Sequence, residues 1–181
     1  CGISREQYPL PELEIPELSA VALPTAGEPV NETFATPVFE NVATEIGLDH
    51  NYQIASGVQL YRFALYQSLG GGAAALDYDL DGAIDLYLAQ GGGDPPSLVG
   101  ALSNLLYRNV AGRFEETTAV SGTVDKRYSV GVAAGDWNQD GFDDIVVANV
   151  GNKVLLLNNG DGTFRRHEFD SDPALGVLTS S

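Results

Sequence analysis

Cysteine, methionine and positive charge are scarce in this sequence. The one cysteine is residue 1 and there is no methionine, so an internal disulfide is impossible and a cysteine-rich metal site is excluded. Only 9 basic side chains stand against 25 acidic ones, and the formal net charge is −16. Because so acidic a surface repels phosphate backbones, we do not expect nucleic acid as a partner. No apolar run reaches the roughly 18 residues that a membrane-spanning helix needs.

The residues that are plentiful favour a β-rich fold. Of the 181 residues, 44% are hydrophobic, which is enough for one core of ordinary size. The 21 glycines and 9 prolines exceed what a helical bundle tolerates, and turn-forming residues punctuate the chain. We therefore expect an all-β protein with one domain or at most two.

The first 37 residues differ in composition from the rest. They contain six of the nine prolines, interleaved with six glutamates. Since such a segment sustains neither a helix nor a sheet ladder, residues 1–37 are predicted to form an extended Pro/Glu-rich tether. Its start, Cys1-Gly2-Ile3-Ser4, resembles that of a mature bacterial lipoprotein, in which the cysteine carries a lipid. Cys1 is thus a candidate lipid anchor and the only expected link to a membrane; the alternative is a fragment that happens to begin at cysteine.

Beyond residue 37 the sequence repeats itself. Residues 70–89 match residues 129–148, with an offset of 59 residues from Asp77 to Asp136. Each copy contains, in order, a strand, an acidic loop, a strand, a turn, a strand, a tight turn and a strand. Four short antiparallel strands in a repeat of about 60 residues are typical of a propeller blade. A Greek-key sandwich ranks second, because its strands would alternate more cleanly between apolar and polar residues.

The two acidic loops, loop 1 (residues 77–85) and loop 2 (residues 136–144), share one spacing. Glycine at position 6, Gly82 or Gly141, permits the sharp turn that brings both halves of each loop around a common centre. Position 7 is placed to offer a backbone carbonyl. The candidate ligands, at positions 1, 3, 5, 7 and 9, are Asp77, Asp79, Asp81, Ala83 and Asp85 in loop 1, and Asp136, Asn138, Asp140, Phe142 and Asp144 in loop 2.

This oxygen-rich pattern predicts calcium binding, with one ion in each loop. Hard oxygen ligands without histidine or cysteine select Ca²⁺, or less well Mg²⁺, over zinc and copper. An EF-hand is disfavoured because the flanks are β-type and position 12 holds Leu88 or Val147 instead of glutamate. By its count of carboxylates, loop 1 should bind more tightly, since loop 2 has Asn138 at position 3. The alternative is that both loops are simple hairpin turns, as we expect for residues 158–162.

At these residues the sequence resembles the FG-GAP/VCBS repeats of integrin-α-type β-propellers, whose blades bind Ca²⁺ in aspartate-rich hairpin loops. Residues 38–48, followed by a glycine run and loop 1, look like the start of the propeller in the ASPIC/UnbV (cartilage-acidic-protein-like) group. The resemblance covers residues 38–181 and implies a secreted or surface propeller that acts by binding. The resemblance implies that the loop residues are calcium ligands. Asn138 departs from the usual aspartate, but its side-chain oxygen is compatible with that role. Because two blades do not close a ring, we expect an incomplete propeller in residues 38–181.

The sequence favours a binding module over an enzyme. His50 and His167 belong to no recognisable catalytic motif. Tyr78 and Trp137, at position 2 of their loops, are expected to pack between blades, or alternatively to offer a platform for sugars. We therefore expect a calcium-stabilised, non-enzymatic binding or assembly module outside the cytoplasm: secreted, periplasmic, or a lipoprotein of the outer membrane or cell surface. The expected partner is a protein, a larger assembly or a glycan; the alternatives are the scaffold part of a polysaccharide-active enzyme and a structural subunit of a surface filament or large complex.

Overall fold

A computed structural model describes residues 37–54, 68–94 and 97–169. The predicted tether, apart from its last residue, and the candidate lipid anchor at Cys1 lie outside these ranges. By its contacts the chain divides into two units, Cys1–Phe39 and Glu40–Ser181, and the strands and the helix described below lie in the second. Within the described ranges, no helix has the length and apolar character needed to cross a membrane.

The described part of the chain is almost entirely β. Its two sheets each contain four strands in sequence order, β1-β2-β3-β4 and β5-β6-β7-β8, and every neighbouring pair is antiparallel. We call them the first and the second blade. The elements are β1 (Ala73–Leu76), β2 (Asp85–Leu88), β3 (Leu105–Val110), β4 (Arg113–Glu116), the single-turn helix α1 (Thr118–Ser121), β5 (Ser129–Gly135), β6 (Asp144–Asn149), β7 (Lys153–Asn158) and β8 (Phe164–Phe169). The prediction of all-β, four-stranded blades in an incomplete ring is confirmed.

The sequence repeat is also a repeat of strand register. In the first blade Ala75 pairs with Leu86, which pairs with Tyr107. In the second blade the equivalent positions, Ala134, Ile145 and Leu156, pair in the same way. The residues of β1–β3 therefore have structural counterparts in β5–β7, apart from Val110, whose counterpart Asn159 follows β7.

The hydrophobic core lies between the two blades. Its buried members are Ala74, Leu76, Tyr78, Tyr87 and Leu106 from the first blade and Ile145, Val147, Val154, Leu156 and Phe164 from the second. The rings of Tyr78 and Phe164 meet with a centroid separation of 5.9 Å. The inner strands approach so closely that a Cβ atom on Gly72 would lie 2.6 Å from the backbone nitrogen of Val132. This close approach explains why the residues leading into each loop are small.

The two aromatic residues at position 2 of the loops differ in their surroundings. Tyr78 is 4% exposed and packs between the blades, as predicted, whereas 65% of Trp137 is exposed. The prediction that Trp137 packs between blades is wrong within the described ranges, because no further sheet adjoins its side of the second blade. Beside Trp137, the exposed Ala133 and the half-buried Val146 line a shallow cavity of about 290 Å³. Ala133 and Val146 are the counterparts of the buried Ala74 and Tyr87.

A buried polar network also joins the blades. Asp125 is 3% exposed and accepts a hydrogen bond from Asn149 Nδ2 at 2.8 Å. It forms ion pairs with Arg127 and Arg166, both at 3.2 Å. The network extends to the first blade through the hydroxyl of Ser129, which lies within hydrogen-bond distance of side-chain oxygens of both Asn149 and Asn104. Because these polar groups find partners, their burial is tolerated.

Candidate metal centres

Each acidic loop is bent by two residues in the left-handed region of backbone conformation. At position 6 these are the glycines, with φ of 85° at Gly82 and 93° at Gly141, which glycine adopts without steric cost. Position 4 holds Leu80 with φ of 57° and Gln139 with φ of 62°. A left-handed leucine or glutamine is strained, so the surrounding hydrogen bonds must hold the loop in this shape.

The aspartate at position 1 supplies those hydrogen bonds in both loops. The carboxylate of Asp77 accepts from the backbone N–H groups of Asp81 and Gly82 at 3.0 and 2.9 Å. Asp136 accepts from Asp140 and Gly141 at 3.1 and 3.0 Å. The carboxylate at position 1 thus holds the backbone of positions 5 and 6 close to the start of each loop.

The aspartate at position 9 ties each loop to the neighbouring strand. Asp85 is fully buried and accepts hydrogen bonds from the backbone N–H groups of Tyr78 at 3.1 Å and Asn109 at 2.8 Å. Asp144 repeats these contacts with Trp137 at 3.0 Å and Asn158 at 2.8 Å. Burial raises the pKa of Asp85, and the negative charges of Asp79 and Asp81 add to this, while the two backbone hydrogen bonds oppose it.

Loop 1 brings three carboxylates together. Asp77, Asp79 and Asp85 each offer an oxygen within 4.8 Å of the others, the one such group of three that the described residues contain. The Oδ1 atom of Asp79 is buried and has no hydrogen-bond partner. A buried, unpartnered carboxylate oxygen is costly unless a cation offsets it. The donor set, made of oxygen alone, is the kind that Ca²⁺ and Mg²⁺ prefer, so these residues fit a hard divalent cation.

Loop 2 has the same backbone shape with a different group at position 3. The side chain of Asn138 accepts a hydrogen bond from the backbone of Asp140 at 3.0 Å and donates one to its carboxylate at 2.7 Å. Oxygen remains the donor at positions 1, 3, 5 and 9, although one of the four is a neutral amide. Loop 2 therefore repeats the oxygen donors of loop 1 with one carboxylate fewer at these positions, but its carboxylates do not form a group like that of Asp77, Asp79 and Asp85.

The aspartate at position 5 is not part of the group of three in loop 1. Asp81 Oδ1 accepts from the backbone N–H of Ala83 at 2.9 Å, and Asp140 Oδ1 accepts from that of Phe142 at 3.0 Å. These contacts make a tight turn at position 7. Ligation through the carbonyl groups of Ala83 and Phe142 stays a prediction.

Sequence reasoning missed three residues around these centres. Arg108 on β3 reaches loop 1, where its Nε lies 2.6 Å from Asp79 Oδ2 and its Nη2 lies 2.9 Å from Asp81 Oδ2. Asn109 and Asn158, at equivalent positions in the two blades, donate side-chain hydrogen bonds to the ends of the loops at Ile84 and Asp143. An asparagine near the end of the third strand in both repeats was a signal for these two. Nothing in the repeat pointed to Arg108, because its counterpart is Leu157.

The turn at residues 158–162 is a hairpin, as predicted. The backbone N–H of Asn159 donates to Thr163 O at 2.9 Å, and Gly160 and Gly162 adopt positive φ. It connects β7 and β8 and is separate in the chain from both loops.

Comparison with known families agrees with this architecture. Residues 77–147 match the model of the FG-GAP-like repeat, a segment that starts at the first residue of loop 1 and ends within β6, so that it contains both acidic loops. No curated protein matches the chain. The match supports the FG-GAP repeat family and a binding-type module.

Proposed function

We propose that the protein is a calcium-binding, non-enzymatic binding or assembly module that acts outside the cytoplasm. The observation that carries the proposal is the repetition of one loop design. Two loops, 59 residues apart, use the same positions to close a backbone turn around an oxygen-rich centre. A hairpin turn needs only its own backbone bonds and one or two turn residues, so a set of four spaced oxygen donors calls for a further explanation.

The ions would be held by the side chains at positions 1, 3, 5 and 9 of each loop, together with the carbonyl at position 7. Bound Ca²⁺ would neutralise the mutual repulsion of these carboxylates and stabilise the blades. Asp77 and Asp85 have a double role, because each also accepts the backbone hydrogen bonds that shape loop 1. The protein thus prepares the ligand geometry through its own hydrogen bonds.

A binding role is favoured over catalysis by the surroundings of the two histidines. His50 is half-buried and burial lowers its pKa. The ring of His167 on β8 packs edge-on against Phe169 with a centroid distance of 5.3 Å. Neither histidine is hydrogen-bonded to a nucleophilic side chain in the contacts described, whereas a general base needs such a contact.

An assembly role is supported by the open side of the second blade. In the first blade, Ala74 and Tyr78 are buried against the second blade. Their counterparts in the second blade, Ala133 and Trp137, are exposed. An exposed apolar face of this kind is typical of an interaction surface, and a protein or a larger assembly is the partner we propose. Among the described residues, the exposed indole of Trp137 is the feature that favours a glycan instead, since aromatic faces stack on sugar rings.

The finer family assignment and the location belong to the same proposal. We propose that the blades belong to the ASPIC/UnbV group of FG-GAP/VCBS propellers, as the sequence resemblance of residues 38–48 and loop 1 implies. A lipid on Cys1, followed by an extended tether, would place the blades at a membrane surface on the extracytoplasmic side. Both parts are open to independent test, the lipid by mass spectrometry of the protein purified from its native membrane.

Calorimetric titration with Ca²⁺ tests the proposal. We expect the wild type to bind one ion per loop, and Asp79→Ala and Asn138→Ala each to weaken binding at one site only. Asp161→Asn, in the hairpin turn between β7 and β8, is the matched control and should bind as the wild type does. Since a ligand that binds only the native state must stabilise it, absence of both binding heat and a shift of melting temperature in the wild type would overturn the proposal.

A further inference from the structure

We propose that Arg108 is a built-in counter-ion of loop 1, which competes with the divalent cation for Asp79 and Asp81 and so weakens cation binding there. The inference rests on the proposed calcium function of the loops. It concerns one side chain that comes from outside the loop, from strand β3.

Arg108 contacts two of the four acidic side chains of loop 1. Its guanidinium lies 2.6 Å from Asp79 Oδ2 and 2.9 Å from Asp81 Oδ2. The second contact is a hydrogen bond from Nη2, whereas the N–H at Nε is not aligned with an acceptor. Charge attraction, more than directed hydrogen bonding, therefore holds the arginine against Asp79.

The remaining oxygen atoms show what a cation would have to displace. Both oxygens of Asp81 are engaged, one by the backbone N–H of Ala83 and the other by Arg108. Asp79 has one oxygen against Arg108 and one, Oδ1, that is buried without a partner. A cation thus finds Oδ1 of Asp79 free, but it gains the arginine-bound oxygen of Asp81 only if the guanidinium withdraws.

The second blade provides a natural comparison. The counterpart of Arg108 is Leu157, which carries no charge. In loop 2 the side-chain oxygen of Asp140 that corresponds to the arginine-bound one accepts from the neutral amide of Asn138 at 2.7 Å. A rotation of Asn138 would release that oxygen without moving a charge, so loop 2 has no cationic competitor among the contacts described.

Charge counting then changes the expected order of affinity. Aspartate stands at all four of the positions 1, 3, 5 and 9 in loop 1 and at three of them in loop 2, which by itself favours loop 1. With Arg108 included, the four carboxylates and one guanidinium at loop 1 carry the same formal charge as the three carboxylates at the ligand positions of loop 2, and loop 2 has a further aspartate, Asp143, at position 8. Because a cation at loop 1 must also displace the guanidinium, we expect loop 1 to bind Ca²⁺ no more tightly than loop 2, in contrast to the expectation from the carboxylates alone.

Calcium titration of the full chain tests this inference when loop 2 is disabled. In an Asn138→Ala/Asp140→Ala background, Arg108→Leu installs the residue that the second blade has, and Arg108→Lys retains the charge as the matched control. We expect Arg108→Leu to bind Ca²⁺ roughly three- to thirtyfold more tightly than the background, as two partly exposed ion pairs suggest. Arg108→Lys should stay near the background value.

Melting temperature gives a second readout that does not depend on a fitted affinity. With chelator, Arg108→Leu should melt below the background protein because the carboxylates lose their counter-ion. With saturating Ca²⁺ the difference should shrink or reverse. A residue that only packed against the loop would lower the melting temperature equally under both conditions.

The outcomes separate this inference from the function on which it rests. Tighter binding by Arg108→Leu alone supports the competition. Unchanged or weaker binding by Arg108→Leu, while the background still binds, overturns the role of Arg108 and leaves calcium binding intact. If neither the wild type nor any variant binds Ca²⁺, the proposed function fails and the inference fails with it.

Discussion

Replacement of Asp125 tests whether the polar network, and not only the apolar core, holds the blades together. In Asp125→Ala the buried carboxylate is lost together with its contacts to Asn149, Arg127 and Arg166. The carbonyl of residue 125 still accepts hydrogen bonds from the backbone N–H of Asn104 and the hydroxyl of Ser103. The experiment therefore isolates the side chain.

The expected loss of stability depends on which partners of Asp125 keep another hydrogen bond or ion pair in the variant. The amide of Asn149 is fully buried, and an unsatisfied buried donor costs about 1–3 kcal/mol. The two arginines are 21% and 27% exposed and still contact Glu168 at 2.7 and 2.9 Å, so they lose less than a buried cation without a partner would. We expect Asp125→Ala to lower the free energy of unfolding by about 2–4 kcal/mol.

Urea denaturation followed by circular dichroism measures this loss. Glu168→Gln is the matched control, since Glu168 contacts the same two arginines but is 49% exposed. Exposed ion pairs contribute only about 0–1 kcal/mol, so the control should stay within that range. A loss below about 1 kcal/mol for Asp125→Ala would show that the network fills space without stabilising the fold.

Two further predictions concern residues whose surroundings differ from what their type suggests. Tyr78→Ala should destabilise the fold by about 3 kcal/mol because Tyr78 is buried between the blades, whereas Trp137→Ala should change stability by less than about 0.5 kcal/mol; equal losses in urea denaturation would contradict this assignment. Burial lowers the pKa of His50 below its ordinary value of 6.5. As the pH falls, the unfolded chain therefore binds this proton at a higher pH than the folded chain does. His50 should consequently reduce the free energy of unfolding as the pH falls below 6.5. The urea midpoint of the wild type should consequently drop more between pH 7 and pH 5.5 than that of His50→Gln, and parallel pH profiles would refute the argument.

The blades and their loops could be predicted from sequence because they depend on short-range spacing. Gly82 and the aspartates of loop 1 lie within nine residues, and the same spacing recurs in loop 2, so chance resemblance was easy to discount. The pairing of β1 with β2 then follows from the loop that joins them. In such a repeat, local chemistry and fold are specified by the same residues.

The contacts that sequence reasoning missed join residues far apart in the chain. Arg108 reaches Asp81 across 27 positions, and Asn149 reaches Asp125 across 24. Neither pair follows from helical or strand periodicity. Trp137 illustrates a different limit: its sequence position is equivalent to that of Tyr78, but its burial depends on what adjoins the second blade. Equivalence within a repeat predicts backbone shape better than it predicts solvent exposure.

The loops are also part of the interface between the blades. Asn158 donates its backbone N–H to Asp144 in loop 2 and its side-chain amide to the carbonyl of Tyr78 at 2.8 Å. Tyr78 in turn donates its backbone N–H to Asp85 in loop 1. The two position-9 aspartates are thus connected through one asparagine and one tyrosine, and Tyr78 is also part of the apolar core. Because these hydrogen bonds position both aspartates, the packing of one blade on the other determines where the candidate ligands Asp85 and Asp144 lie.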